Sequence, residues 1–414
     1  MLTNKDALRL SHISKSLYGI SKEIRILRHL KWPKVIEIEF FKKKSEVLPV
    51  VEYPNFNFNE IKAKLKNLDD KYGDTPYDTW LKGKASQIKL GAKLLQHCGQ
   101  KQFFQYSAEL YGTPKSSLSD GETTSLDIAN KFEAMLDSHF SHFSKKSYKN
   151  LISSIEVKNE IEKKVQNVFG IASPEVIISD ELSAKATASS KRIKIKRGAR
   201  FTKNDIEQLF NHEAIIHVAT TLNGKLQKNM KILGANYGRV TKTQEGLAVF
   251  SELITGCIDI NRMYRISDRV IAINMAIDGA NFIDIYRFFL KRAGIKSQAF
   301  EDSRRVFRGG IVSGGIPFTK DIVYLDGLIR VHNLLKIAIS KGRTDIIETL
   351  FYGKIGLDDI PILLQLKKDG LILKPKYLPD WVRDMNYLVS YFMFSNFVGK
   401  MNYDRIGDYY DKLF

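Results

Sequence analysis

Apolar residues at three- and four-residue steps open the chain. Leu10, Ile13, Leu17, Ile20, Ile24, Leu27 and Leu30 share one stripe, so residues 1–30 are predicted mostly helical, and Lys31-Trp32-Pro33 ends the pattern. Val35 to Phe41 reads as a strand. Pro49 and Pro54 then punctuate a loop before a helix at 59–69, and further helical stretches lie near 83–98 and 101–111. The polar, Ser/Thr-rich segment 111–125 is the expected linker, with a second break at 144–150.

Beyond residue 150 the pattern changes. A helix from Ile152 to Val168 leads to a short strand at Val176-Ile177-Ile178. A second strand is read at 184–189 and a third at Arg192–Lys196, where Ile193 and Ile195 take one face and three cations the other. The remainder is almost wholly helical, with the longest helices near 203–222, 243–256, 264–292, 319–340 and 381–399. Short strands followed by a run of helices predict an α+β fold that is mainly helical.

The helix at 203–222 carries the candidate chemistry. Thr202 is its expected N-cap, Asp205 can return the bond, Phe201 can staple onto Ile206, and Asn223-Gly224 is expected to close it. His212-Glu213 and His217 therefore lie inside it. Zinc motifs of the H-E-x-x-H kind work because residues four apart share a helical face. Here the spacing is five, which separates the two rings by about 140° on an ideal helix. One residue accommodated as a π-bulge brings them together again.

An open zinc site needs a third protein ligand, and two histidines with a glutamate are a known set. Gln244-Glu245-Gly246-Leu247-Ala248 opens the next helix, with Thr243 as the expected cap and Glu245 in its first turn. Glu252 follows seven residues later on the same half-buried side. Two carboxylates there are costly without cations, and a metal whose ligand histidine is oriented by Glu252 removes that cost.

Composition narrows the class. Among 414 residues, 65 Lys+Arg against 46 Asp+Glu give a formal charge of +19, which favours acidic partners. Zinc-finger, RNP and basic-zipper signatures do not occur, so nucleic acid is not the expected partner. No apolar run is long enough to span a membrane. The first residues lack the apolar core of a secretory signal, and two cysteines cannot make a disulfide framework, so a cytoplasmic location is expected.

The sequence resembles the flavohemoglobin-expression-modulating QEGLA-motif family, whose vertebrate relatives are microtubule-associated tyrosine carboxypeptidases. The likeness rests on His212-Glu213-Ala214-Ile215-Ile216-His217, Leu222-Asn223-Gly224, Gln244-Glu245-Gly246-Leu247-Ala248 and Gly314-Gly315-Ile316-Pro317-Phe318-Thr319-Lys320-Asp321, with Tyr324-Leu325 and Gly327. Weaker likeness at Trp32, Phe40-Phe41 and Tyr111-Gly112 extends it over nearly the whole chain. The resemblance implies a zincin-like metallopeptidase core with a small sheet and an active-site helix. It also implies Zn2+ held by His212, His217 and Glu245, with Glu213 as general base. On this reading residues 146–414 form the catalytic domain, and residues 1–145 form a helical/β region packed on it.

The function expected is that of a zinc-dependent metallopeptidase, acting as a carboxypeptidase on a peptide or protein C-terminus, acidic ones included. Tyr237 and Tyr324 are candidate oxyanion donors, and Arg308 and Lys320 candidate carboxylate binders. The cationic run of Lys185, Lys191, Arg192, Lys194, Lys196, Arg197, Arg200 and Lys203 offers a strand edge for an acidic chain. The competing expectation is a nonenzymatic regulatory protein that retains the metal site and binds an acidic partner or nucleic acid.

Overall fold

The isoleucine- and valine-bearing runs between residues 152 and 201 form two small sheets, and helices make up most of the rest. The computed structural model describes residues 2–139, 151–180, 182 and 185–413. Strand β1 (Ile152–Ser153) pairs antiparallel with β5 (Arg200–Phe201), completing the first sheet. In the second, β2 (Glu175–Ser179), β3 (Ala186–Ala188) and β4 (Arg192–Lys196) are arranged β2-β4-β3, with β2 parallel and β3 antiparallel to β4. Val176 lies opposite Ile193 and Ile178 opposite Ile195. Helix Ser154–Phe169 buries Val157, Ile161, Val165 and Phe169 against this sheet, forming a small core that also takes in Phe201, Ile206, Ala214 and Val218. The chain is thus α+β and mainly helical.

A larger core spans the sequence. Leu10, Leu17, Leu30, Phe40 and Phe103 share it with Phe250, Phe282, Val331 and Phe392, so residues before and after the 145/146 division bury apolar surface together. At its centre, helix Gly238–Ile254 packs against helix Val323–Ser340. The two backbones meet where Gly246 faces Gly327: a Cβ on Gly246 would lie 2.2 Å from the Gly327 carbonyl carbon, and one on Gly327 would lie 2.3 Å from Lys242 O. Phe250, one turn beyond, packs its ring against Trp381 and Phe392.

Several local expectations are corrected. Val35–Phe41 is not a strand but part of helix Lys34–Lys42. Pro33 sits at its N-cap, and Ile36 and Phe40, four residues apart, bury together while Val35 and Ile38 stay exposed. Phe40 packs edge-on against Phe282 and Tyr286 and at a tilt against Phe300, contacts that only the helical period delivers. The expected helix over 264–292 is two, Ile260–Ile277 and Phe282–Ala293. Gly279 turns the chain at φ 108°, and Asn281 caps the second helix by accepting from the amides of Ile283 and Asp284. Asn223-Gly224 does not end its helix, which runs to Leu226. Asn223 instead donates to Phe351 O and Tyr377 O and accepts from the amides of Lys376 and Tyr377. Gly224 lies flush against Leu233 O, 2.2 Å from where its Cβ would be. The break expected at 144–150 lies outside the described residues, as does Ala184 of the second expected strand.

The glycine contact gives a test. Gly246→Ala should destabilise the fold by about 1–3 kcal/mol or more, because two backbones must separate. Gly83→Ala, on the exposed side of helix Pro76–Gln96 with nothing within 4 Å of its Cβ, should instead stabilise by about 0.5–1 kcal/mol. Denaturant midpoints of the two variants should move in opposite directions; a neutral Gly246→Ala would refute the close approach.

Candidate metal centre

The histidine spacing is resolved by a change of helical type. Thr202 caps the helix through a reciprocal bond with Asp205, as expected, and α-helix runs from Lys203 to Leu209. Phe210–Val218 is then π-helical, and α-helix resumes at Ala219–Leu226. The wider turn brings residues five apart onto one side. The rings of His212 and His217 lie 4.9 Å apart between centroids, at 85°. The expected bulge is therefore a nine-residue π segment, inserted without glycine.

Helix Gly238–Ile254 supplies the third group. It starts at Gly238, with Tyr237 in the cap position, rather than at Thr243. Thr243 is consequently an interior, buried residue, and Glu245 sits in the helix body instead of its first turn. Glu245 Oε2 is 3.4 Å from His212 Nε2 and 3.5 Å from His217 Nε2. One ligand atom from each of the three residues lies within 4.8 Å of the others. The neighbouring residues hold that carboxylate in place. Gln244 Oε1 accepts from Thr220 Oγ1 at 2.7 Å, tying this helix to the histidine helix. Gly246 admits the Val323–Ser340 helix, and Leu247 and Ala248 are fully buried.

Behind the histidines lies a buried charge network. Glu252, 0% exposed, accepts a bidentate pair from Arg262 (3.0 and 2.9 Å) and a bond from Gln208 Nε2 (2.8 Å), and lies 2.6 Å from His212 Nδ1. Burial would raise its pKa, but Arg262 together with His212 outweighs that and brings it down to about 2. A carboxylate at Nδ1 fixes the tautomer and turns Nε2 of His212 toward Glu245. Burial alone would lower the His212 pKa; the Glu245 and Glu252 carboxylates facing its two ring nitrogens reverse this and hold it up at about 10. Glu245 is pushed well below the usual carboxylate range, since Lys320, His212 and His217 overcome the burial that would raise it. The carboxylates around His212 thus favour positive charge at that one ring.

The other candidate residues divide. Glu213 and Tyr324 line the same cavity of 170 Å³ as His212. The Tyr324 ring lies 6.5 Å from that of His212, and its hydroxyl accepts from Arg305 Nη2 at 3.5 Å. Lys320 Nζ is 3.4 Å from Glu245 Oε1. Arg308 is turned toward Asp321 (3.8 Å) and the Phe318 ring, and Tyr237 packs beside Lys84; neither lines the cavity. In the cationic run, β4 is the central strand, so the sheet edge nearest the histidines is β3, where Lys185 and Ala186 border the cavity. Lys185, Arg192 and Arg197 are paired with Asp205, Glu175 and Asp180. Sequence reasoning missed Gln208, Arg262, Arg265, Arg269 and Arg305. The three- and four-residue spacing of Arg262, Arg265 and Arg269 was the available signal.

Glu252→Gln should leave Arg262 as a buried unpaired cation and free the His212 ring. The variant should melt at lower temperature, since leaving one charge of a buried pair uncompensated costs about 3–5 kcal/mol. It should also bind divalent zinc roughly 10–100-fold more weakly in a metal titration. Unchanged zinc affinity would show that Glu252 does not orient a ligand.

No curated protein matches the chain. The family model described as microtubule-associated tyrosine carboxypeptidase matches residues 38–400, a span that contains every group placed above around His212 and Glu245. No helix among the described residues is long and apolar enough to cross a membrane. With all but its two ends covered by that match, the chain belongs to the microtubule-associated tyrosine carboxypeptidase family.

Proposed function

We propose that this chain is a zinc-dependent metallopeptidase with a zincin-like core, acting as a carboxypeptidase. One observation carries the reading: among the described residues, Glu245 Oε2 is buried without a hydrogen-bond partner while two imidazole Nε2 atoms face it at 3.4 and 3.5 Å. A buried carboxylate oxygen left unbonded is expensive. A divalent cation accepting that oxygen and both nitrogens removes the cost, and the donor set is one that zinc uses with a position left open. His212, His217 and Glu245 would hold the ion, which supplies Lewis acidity to a water and to the scissile carbonyl.

The remaining work belongs to the chain's own residues. Glu252 keeps the Nδ1 proton of His212 engaged, so Nε2 is the nitrogen with a lone pair to offer. Glu213 borders the same cavity and is placed to take a proton from the attacking water and deliver it to the leaving amine. Tyr324 accepts from Arg305 and keeps its own O–H to donate toward the developing oxyanion. An extended peptide can add along the edge of β3, which ends at the cavity rim. The family's name supports a C-terminal peptide as substrate.

Two variants test this. Purified His217→Ala should carry far less zinc than the parent protein, measured by elemental analysis; equal zinc in both removes the proposal. Glu213→Gln should keep its zinc and lose turnover of C-terminally free peptides by about 10²–10⁴-fold. If Glu213→Gln turns over such peptides at the parental rate, the general-base role is wrong.

A further inference from the structure

Three arginines of helix Ile260–Ile277 stand on one face, at residues 262, 265 and 269. All three, together with Arg305, line the cavity that His212 and Glu213 share. Their commitments differ. Arg262 is spent on Glu252 through two bonds, and Arg305 donates Nε to Asp321 at 2.5 Å. Arg269 reaches its nearest carboxylates, Asp302 and Asp321, only at 4.0 and 3.8 Å and rests over the Tyr324 ring. Arg265 has no ion pair within 4 Å among the described residues, and its Nε is buried without a hydrogen-bond partner. Asp259, Asp205 and Asp302 act on it only at longer range.

We propose that Arg265 and Arg269, one helical turn apart on the cavity wall, form a fork that binds a carboxylate of the substrate peptide. A guanidinium donor withdrawn from water and left unbonded, as Arg265 Nε is, costs free energy until an acceptor arrives. Burial accordingly pushes both side chains below their usual pKa. The planar fork of arginine matches a carboxylate two bonds at a time. Asp205, Glu213, Glu252, Glu301 and Asp302 also border the cavity, so its wall carries both signs of charge and the carboxylate is placed by the arginine pair. The inference rests on the peptidase reading only in taking the ligand to be a peptide. Its carboxylate can be the C-terminal one or that of an acidic side chain.

Binding, rather than turnover, separates the two readings. Full-length zinc-loaded Glu213→Gln protein is immobilised and offered randomised hexapeptide pools, one with free and one with amidated C-termini, and retained peptides are quantified by mass spectrometry. Retention of the free-acid pool roughly 10–100-fold above the amide is expected, from one or two charge-assisted bonds. Enrichment of Asp and Glu within the amidated pool instead assigns the fork to an acidic side chain. Adding Arg265→Gln or Arg269→Gln should abolish whichever preference is seen. Arg265→Lys, which keeps the charge but not the fork, should restore only part of it, with melting temperature confirming that each variant is folded. Pools retained equally, whether well or not at all, overturn the proposal, as does a preference that survives Arg265→Gln. Acid-selective binding with no cleavage by the parent protein would leave the fork standing and remove the peptidase reading.

Discussion

A single carboxylate with no exposure to solvent joins the parts of this protein that matter chemically. Glu252 belongs to one helix, Gln208 and His212 to a second, and Arg262 to a third, and all of them converge on its two oxygens. Such a charge survives burial only because its lone pairs are filled. The same bonds that stabilise Glu252 therefore dictate how three helices sit around it. They also decide which nitrogen of His212 is presented to Glu245, so the electrostatics of the interior and the geometry of the centre are one arrangement.

The π-helical segment follows from that convergence. In α-helix, His212 and His217 would point well apart; a π turn is poorer in hydrogen-bond geometry and rarely persists. Here it lasts nine residues, and four of its five buried residues are apolar. Ala214 and Val218 face the small sheet core, whereas Ile215 and Ile216 face the large one. Packing from two directions supplies what the backbone alone does not. The unusual turn is thus the place where two cores meet.

Much of this was legible in the residues. The Thr202–Asp205 cap, the alternation at Ile193 and Ile195, and the five-residue histidine spacing that demands a wider turn all act locally, within a few residues of one another. What escaped reading depends on distant partners. Val35–Phe41 alternates well enough for a strand, and only the aromatic cluster of Phe282, Tyr286 and Phe300 selects the helical period. Asn223-Gly224 resembles a stop signal, but the amide is occupied by loop backbone around Tyr377 and the glycine by Leu233. Thr243 resembles a cap, yet the helix begins five residues earlier, at Gly238. The arginines were hidden for the same reason: a guanidinium lining a cavity and one on a solvated face look identical until the fold encloses the space.

The meeting of Gly246 with Gly327 has a consequence for how the centre ages under mutation. Glu245 adjoins that contact in sequence, so the gap between two central helices sets how far its oxygen reaches toward the imidazoles. Any side chain that swells or shrinks the interior near Phe250 or Val331 is transmitted along the same rigid rod as a displacement of a would-be ligand. On the zinc reading proposed above, affinity for the ion becomes a gauge of interior packing.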